Sequence, residues 1–183
     1  MSSASSAEIA RGGPRSGSSP TLVVGLGNPL LGDDGVGWRV IEALEERLAG
    51  CRGASPSVPV ELDRLAVGGL ALMERLVGYE RVVLVDAVLT RRDLPGTVSC
   101  LPFTSVATRD ASHLDSAHDA PLPVALAAGR ALGAELPADI TVVGIEARRV
   151  DVFDEELSPE VAAAVPVAVG AVLALMASPG PQG

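Results

Sequence analysis

Gly25-Leu26-Gly27-Asn28-Pro29-Leu30-Leu31-Gly32-Asp33-Asp34-Gly35-Val36-Gly37 decides how this chain of 183 residues is read. It follows Thr21-Leu22-Val23-Val24, an apolar run suited to a buried strand. It precedes residues 38–48, whose apolar positions recur with helical spacing. A glycine-rich turn between strand and helix suggests dinucleotide binding, because the helix N-terminus attracts a pyrophosphate. Here two carboxylates occupy that spot, where they repel phosphate and attract a cation. The spacing is also G-x-G-x-x-x-x-G rather than G-x-G-x-x-G. The turn therefore reads as a carboxylate metal site beside a helix start, with a nucleotide-binding α/β enzyme as the weaker alternative.

Working outward, strands and helices alternate. Residues 60–65 read as a strand with one polar face, 68–77 as a short helix, and 81–87 as a continuous β-branched run of a central parallel strand. Residues 97–101 form a shorter strand at an antiparallel edge. A polar loop over 104–119 leads to a helix over 123–132, and 140–145 supply the last strand. Ser158-Pro159-Glu160 opens a terminal helix, with serine at the N-cap and proline at the first helical position. The order predicts a three-layer α/β/α sandwich around a mostly parallel five-stranded sheet. Residues 20–177 form its single domain. Residues 1–19, rich in Ser, Gly and Arg, read as a disordered extension, and 178–183 as a flexible tail.

Composition narrows the function. All 14 basic residues are arginine, against 23 acidic ones, for a net charge of -9. That surface suits neither nucleic acid nor an anionic membrane. The lack of lysine rules out Schiff-base chemistry and a phosphate-loop lysine. With only 2% aromatic residues, the core must be built from Ala, Val and Leu. Cys51 and Cys100 are far apart and form no metal-ligand spacing, as expected of idle thiols in a reducing compartment. Residues 161–177 hold no charge and approach the length of a membrane span, but read as a buried terminal helix. The expectation is a cytoplasmic monomer without membrane insertion.

Ligands of such sheets gather at the carboxyl ends of the strands, where strand order reverses. Asp33 and Asp34 follow the first strand and Asp86 ends the third, and these two strands should adjoin. The loop with His113 and His118, the two histidines of the chain, follows the fourth strand. Topology thus gathers two acids and a histidine in one crevice. Each has an ordinary explanation as well. An aspartate beside a helix start can cap it, and a histidine in a polar loop is commonly a surface residue. Two adjacent carboxylates exceed what one cap needs, however, and Asp86 after Val82-Val83-Leu84-Val85 is costly to bury without a partner. A shared cation would be that partner.

The run Gly25-x-Gly27-Asn28, then Asp33-Asp34-Gly35-x-Gly37, resembles the signature of the hydrogenase maturation proteases. These endopeptidases clip a C-terminal peptide from the precursor of the nickel-iron hydrogenase large subunit. Three later segments resemble that family in the expected order: Val82-Val83-Leu84-Val85-Asp86-Ala87 with Leu94-Pro95-Gly96-Thr97, Ser116-Ala117-His118-Asp119-Ala120-Pro121-Leu122, and Ile140-Thr141-Val142-Val143-Gly144-Ile145-Glu146. The resemblance spans residues 21–177. It implies that Asp34, Asp86 and His118 are the metal-binding and catalytic residues and that Asp33 caps or supports. It also implies that the ion is nickel carried by the precursor, with zinc or another divalent ion as a substitute in vitro. The partner implied is the hydrogenase large-subunit precursor. No G-x-S-x-G elbow, H-E-x-x-H helix or Cys-His dyad is present, which leaves an activated water for cleavage and no nucleophilic role for Ser116. A non-catalytic nickel-dependent chaperone or checkpoint is the alternative. Gly68-Gly69 resembles a family turn near the cleft, and Arg91-Arg92 could meet an acidic partner segment.

Overall fold

The computed structural model describes residues 20–50, 59–106 and 121–178. In chain order the elements are β1 (Thr21–Leu26), α1 (Val36–Gly50), β2 (Val60–Leu65), α2 (Gly69–Leu76), β3 (Arg81–Val88) and β4 (Val98–Pro102). They continue with α3 (Phe103–Val106), α4 (Leu122–Ala131), β5 (Asp139–Glu146) and α5 (Pro159–Ala177). The five strands lie in the order β2-β1-β3-β5-β4. All pairs are parallel except β4 with β5. The expected edge strand is therefore present, one residue later than read. Its Pro102 is tolerated because an edge position requires no donor toward a further strand.

Strand alternation divides the core into two layers. Val23, Val83, Val85, Val143 and Ile145 face α1 and α5, whereas Leu22, Val24, Val82, Leu84 and Val142 face α2 and α4. This is the three-layer sandwich that the sequence pattern predicts. Valine, leucine, isoleucine and alanine fill it, and among the described residues Phe103 is the one buried aromatic. α3 forms a single helical turn after Pro102, where the polar sequence pattern suggests loop. α5 is buried along one stripe only, Val161, Ala164, Ala168, Val169 and Val172. Its other side, including Val167, faces outward, so the expectation of a buried terminal helix holds for one face. α5 is long and apolar enough to cross a membrane by length and composition alone.

The β1–α1 connection holds the main departure from expectation. Gly32–Gly35 form a 3-10 turn ahead of α1, and no side chain caps this turn. Asp33 is 1% exposed and points away from the α1 backbone. Its carboxylate accepts hydrogen bonds from the backbone N–H of Arg148 at 2.9 Å, of Arg149 at 3.3 Å and of Ser158 at 2.7 Å. A fourth comes from the Ser158 hydroxyl at 3.0 Å. Ser158 does occupy the N-cap of α5, but its hydroxyl serves Asp33 instead of the helix. Asp33 is thus a supporting residue and not a cap for α1. It fastens the β5–α5 loop to the β1–α1 turn, across more than a hundred residues of chain.

Asp33→Ala would leave those donors buried without their acceptor. Its expected cost is roughly 3 kcal/mol of unfolding free energy, from about 1–3 kcal/mol for each buried group left unsatisfied, against about 1 kcal/mol for losing an ordinary N-cap. Urea denaturation of the variant measures this, and a loss under about 1 kcal/mol would contradict the bridging role.

Candidate active site

Glycines place the turn. An added Cβ at Gly25 would strike the carbonyl of Gly37, and one at Gly37 would strike those of Leu26 and Val85. The first turn of α1 therefore rests directly on the β1 and β3 backbones. Gly27 has φ +111, and a Cβ there would collide with the Asp34 carbonyl oxygen. These contacts fold the turn back over the carboxyl end of β1. The Asn28 N–H donates to Oδ2 of Asp34 at 2.6 Å, fixing the carboxylate, and Oδ1 of Asn28 accepts the Leu30 N–H at 3.0 Å. In this conformation the turn is no phosphate cradle. Its Asp34 N–H already binds the Leu31 carbonyl, and its Gly32 N–H binds that of Asp154.

β1 and β3 pair as far as Gly25 with Val85, and Asp86 is the next residue of β3. β3 runs on to Val88, so Asp86 lies within the strand rather than at its end, opposite Gly144 of β5. A Cβ on Gly144 would press on Val88 at 3.1 Å and Ser99 at 3.2 Å, so this register position accepts only glycine without rearrangement. Asp86 is 3% exposed. Burial pushes its carboxyl up from 3.8 to about 7, the neighbouring Asp34 charge adds to the rise, and a hydrogen bond from the Ala87 backbone opposes it. Two buried carboxylates close enough to repel call for a proton or a cation between them.

Asp34 and Asp86 are therefore brought together at the β1/β3 switch point, as the sequence implied. His113 and His118 lie outside the described residues, as do Ser116 and Cys51. Among the described residues no three His, Cys, Asp or Glu side chains form a group that could hold a metal ion. The chain does not leave β4 at this edge, since Pro102 pairs with Thr141 near the start of β5. α4, by contrast, ends close to the entry of β3, where the Glu135 carbonyl accepts the Gly78 N–H. Its first residue, Leu122, accordingly lies toward the carboxyl edge, and His118 precedes it by four positions in the sequence.

Glu146 was missed. It ends β5 beside Val88, is 3% exposed, and accepts the Thr90 hydroxyl at 2.7 Å and the Arg91 N–H at 2.8 Å. Arg91 takes a left-handed φ of 56 there. The signal was available, because an acid closing an apolar strand needs a partner just as Asp86 does. Glu146 anchors the β3–β4 loop through backbone and hydroxyl donors, while the Arg91 and Arg92 side chains point outward. Gly68-Gly69 is more than a connector: Gly68 is the N-cap of α2, and Gly69 needs its φ of 55. Cys100 lies on β4, and burial raises its thiol above the ordinary value, which makes it a poor nucleophile.

This arrangement has close counterparts. A family model described as hydrogenase maturation protease matches residues 39–175, a span that includes Asp86 and His118. The Hydrogenase 2 maturation protease of Escherichia coli (strain K12) is 30% identical over 159 residues, covering 87% of this chain and 92% of that protein. The solved structure of the hydrogenase maturating endopeptidase HybD from E. coli superposes with a TM-score of 0.70 at 30% identity, over 86% of this chain and 91% of that one. The NiFe hydrogenase maturation protease HybD from Thermococcus kodakarensis gives 0.61 at 28% identity, over 86% and 99%. The parallel sheet, the switch-point carboxylates and these likenesses lead to one conclusion: the chain belongs to the hydrogenase maturation protease family, a family of endopeptidases.

Proposed function

We propose that this endopeptidase removes a C-terminal peptide from the nickel-loaded large-subunit precursor of a nickel-iron hydrogenase, acting as a cytoplasmic monomer. The observation that supports it best is the buried, mutually repelling pair Asp34 and Asp86 at the switch point, which favours a cation brought by a partner. The nickel is substrate cargo. Asp34, Asp86 and His118 would hold it through two carboxylates and an imidazole, a donor set that suits a borderline divalent ion and leaves coordination positions open. Zinc would substitute in vitro. The start of α4 at the carboxyl edge favours His118 as the third ligand.

Cleavage falls to an activated water rather than a covalent nucleophile. Cys100 lies on β4, on the far side of β5 from Asp86, burial raises its thiol above the ordinary value, and the motif of a serine hydrolase is absent. Recognition and chemistry then share one crevice. A precursor without nickel offers nothing to offset the repulsion between Asp34 and Asp86, so it binds poorly there.

Incubation of the purified protein with nickel-loaded and nickel-free precursor, read as the mass loss of the tail, tests the reading. Cleavage of the loaded form alone is expected, and equal cleavage of both would remove the ion from recognition. Asp34→Asn, Asp86→Asn and His118→Ala should each abolish processing, whereas Cys100→Ser should process at nearly the wild-type rate. Retained cleavage by His118→Ala with loss in His113→Ala would exchange the histidines.

Asp86 also sets a pH dependence. Its folded value of about 7 exceeds the ordinary 3.8, so the folded chain holds this proton more tightly than the unfolded chain does. That contribution is complete below about pH 4 and is lost as pH rises toward about 7. Thermal unfolding of metal-free protein across this window should therefore show a downward drift in Tm that Asp86→Asn lacks. Parallel profiles of the two proteins would speak against the shift.

A further inference from the structure

We infer that the β5–α5 loop, with Phe153 at its tip and Leu30 beside it, is the docking surface for the folded body of the precursor. This inference rests on the proposed substrate. Phe153 is 84% exposed, although the chain has only two phenylalanines and buries the other, Phe103, to 7%. Val152 and Leu30 are exposed at 40% and 49%. An aromatic left in water on a loop this well tethered buries little within the chain, and such side chains are typical anchors of protein interfaces.

The loop is continuous with the turn after β1. The Asp154 N–H donates to the Leu30 carbonyl at 3.1 Å, and the Gly32 N–H donates to the Asp154 carbonyl at 2.6 Å. Leu31 and Asp154 form a parallel bridge. With the four hydrogen bonds to Asp33, these contacts hold Phe153 and Leu30 in fixed relation to Asp34, which follows Leu30 by four residues. Arg39 adds a bond to the Glu155 carbonyl at 3.2 Å. A partner seated on Phe153 is thereby registered against the switch point, as removal of one defined peptide requires.

Charge specifies the occupant. Arg148 pairs with Glu160, and Arg149 with Asp154. Of the five acids in residues 148–160, that leaves Asp151, Glu155 and Glu156, all exposed, around the apolar tip. The matching surface is an apolar recess bordered by basic groups on the folded precursor. An acidic rim of this kind disfavours an anionic membrane and a second copy of this acidic chain.

The test uses full-length Phe153→Ser and Leu30→Ser with nickel-loaded precursor, following both binding by interferometry and cleavage by mass. Each variant should keep the wild-type Tm and its kcat at saturating precursor. KM and Kd should rise about tenfold or more, with Phe153→Leu recovering most of the loss. Added salt should weaken binding of the wild-type protein. Unchanged KM and Kd in both serine variants, with wild-type cleavage intact, would overturn the docking surface alone. A wild-type protein that neither binds nor cuts the precursor would instead overturn the proposed substrate. Sedimentation showing a wild-type dimer that Phe153→Ser converts to monomer would assign the patch to self-association and reject the inference.

Discussion

The carboxylate of Asp33 is the fixed point on which the site depends. Four donors from the β5–α5 loop converge on it, three of them backbone N–H groups. Hydrogen bonds to a buried charged group are stronger than neutral ones and unfavourable to leave unmade. One side chain therefore ties the turn after β1 to the start of α5, and so joins the two ends of the described chain. Because Asp33 and Asp34 are consecutive in a 3-10 turn, anchoring the first determines where the second is presented.

The acids at the carboxyl edge divide into two kinds. Asp33 and Glu146 are buried with their oxygens met by backbone and hydroxyl donors, and they stabilise loops. Asp34 and Asp86 are buried near each other and repel, with burial the larger cause of the raised Asp86 value. The first kind behaves like the interior of any well-packed protein, where polar groups are satisfied locally. The second kind also accepts backbone hydrogen bonds, from Asn28 to Asp34 and from Ala87 to Asp86, and differs in the mutual repulsion that adds to the raised Asp86 value. The first kind lies on either side of the second, Asp33 after β1 and Glu146 at the end of β5, so anchored acids flank the repelling pair.

Backbone packing explains why the pair can sit so close to the sheet. Gly25 and Gly37 let α1 touch β1 without side chains between them, and Gly144 keeps the β5 position opposite Asp86 clear. A larger residue at Gly25 or Gly37 would push the turn outward, and one at Gly144 would crowd the Val88 and Ser99 side chains. The same glycines that suggest a nucleotide loop in the sequence therefore serve helix-on-strand contact, and the turn's N–H groups are already engaged.

The sequence by itself determined the architecture. Alternating apolar strands and amphipathic helices left few ways to cover both faces of a parallel sheet. The nearness of Asp34 and Asp86 was legible too, since they follow strands that the topology makes neighbours. The role of Asp33 was decided only by tertiary structure. Its neighbours in sequence suggested a helix cap, but its partners Arg148, Arg149 and Ser158 lie 115 to 125 residues away. Local pattern carries no information about donors that distant. Glu146 carries the same local signal as Asp86, an acid closing an apolar strand, but its partners Thr90 and Arg91 come from a loop that returns to it after β3. The exposure of Phe153 was equally hidden, and only the folded loop shows that this aromatic stays out of the core.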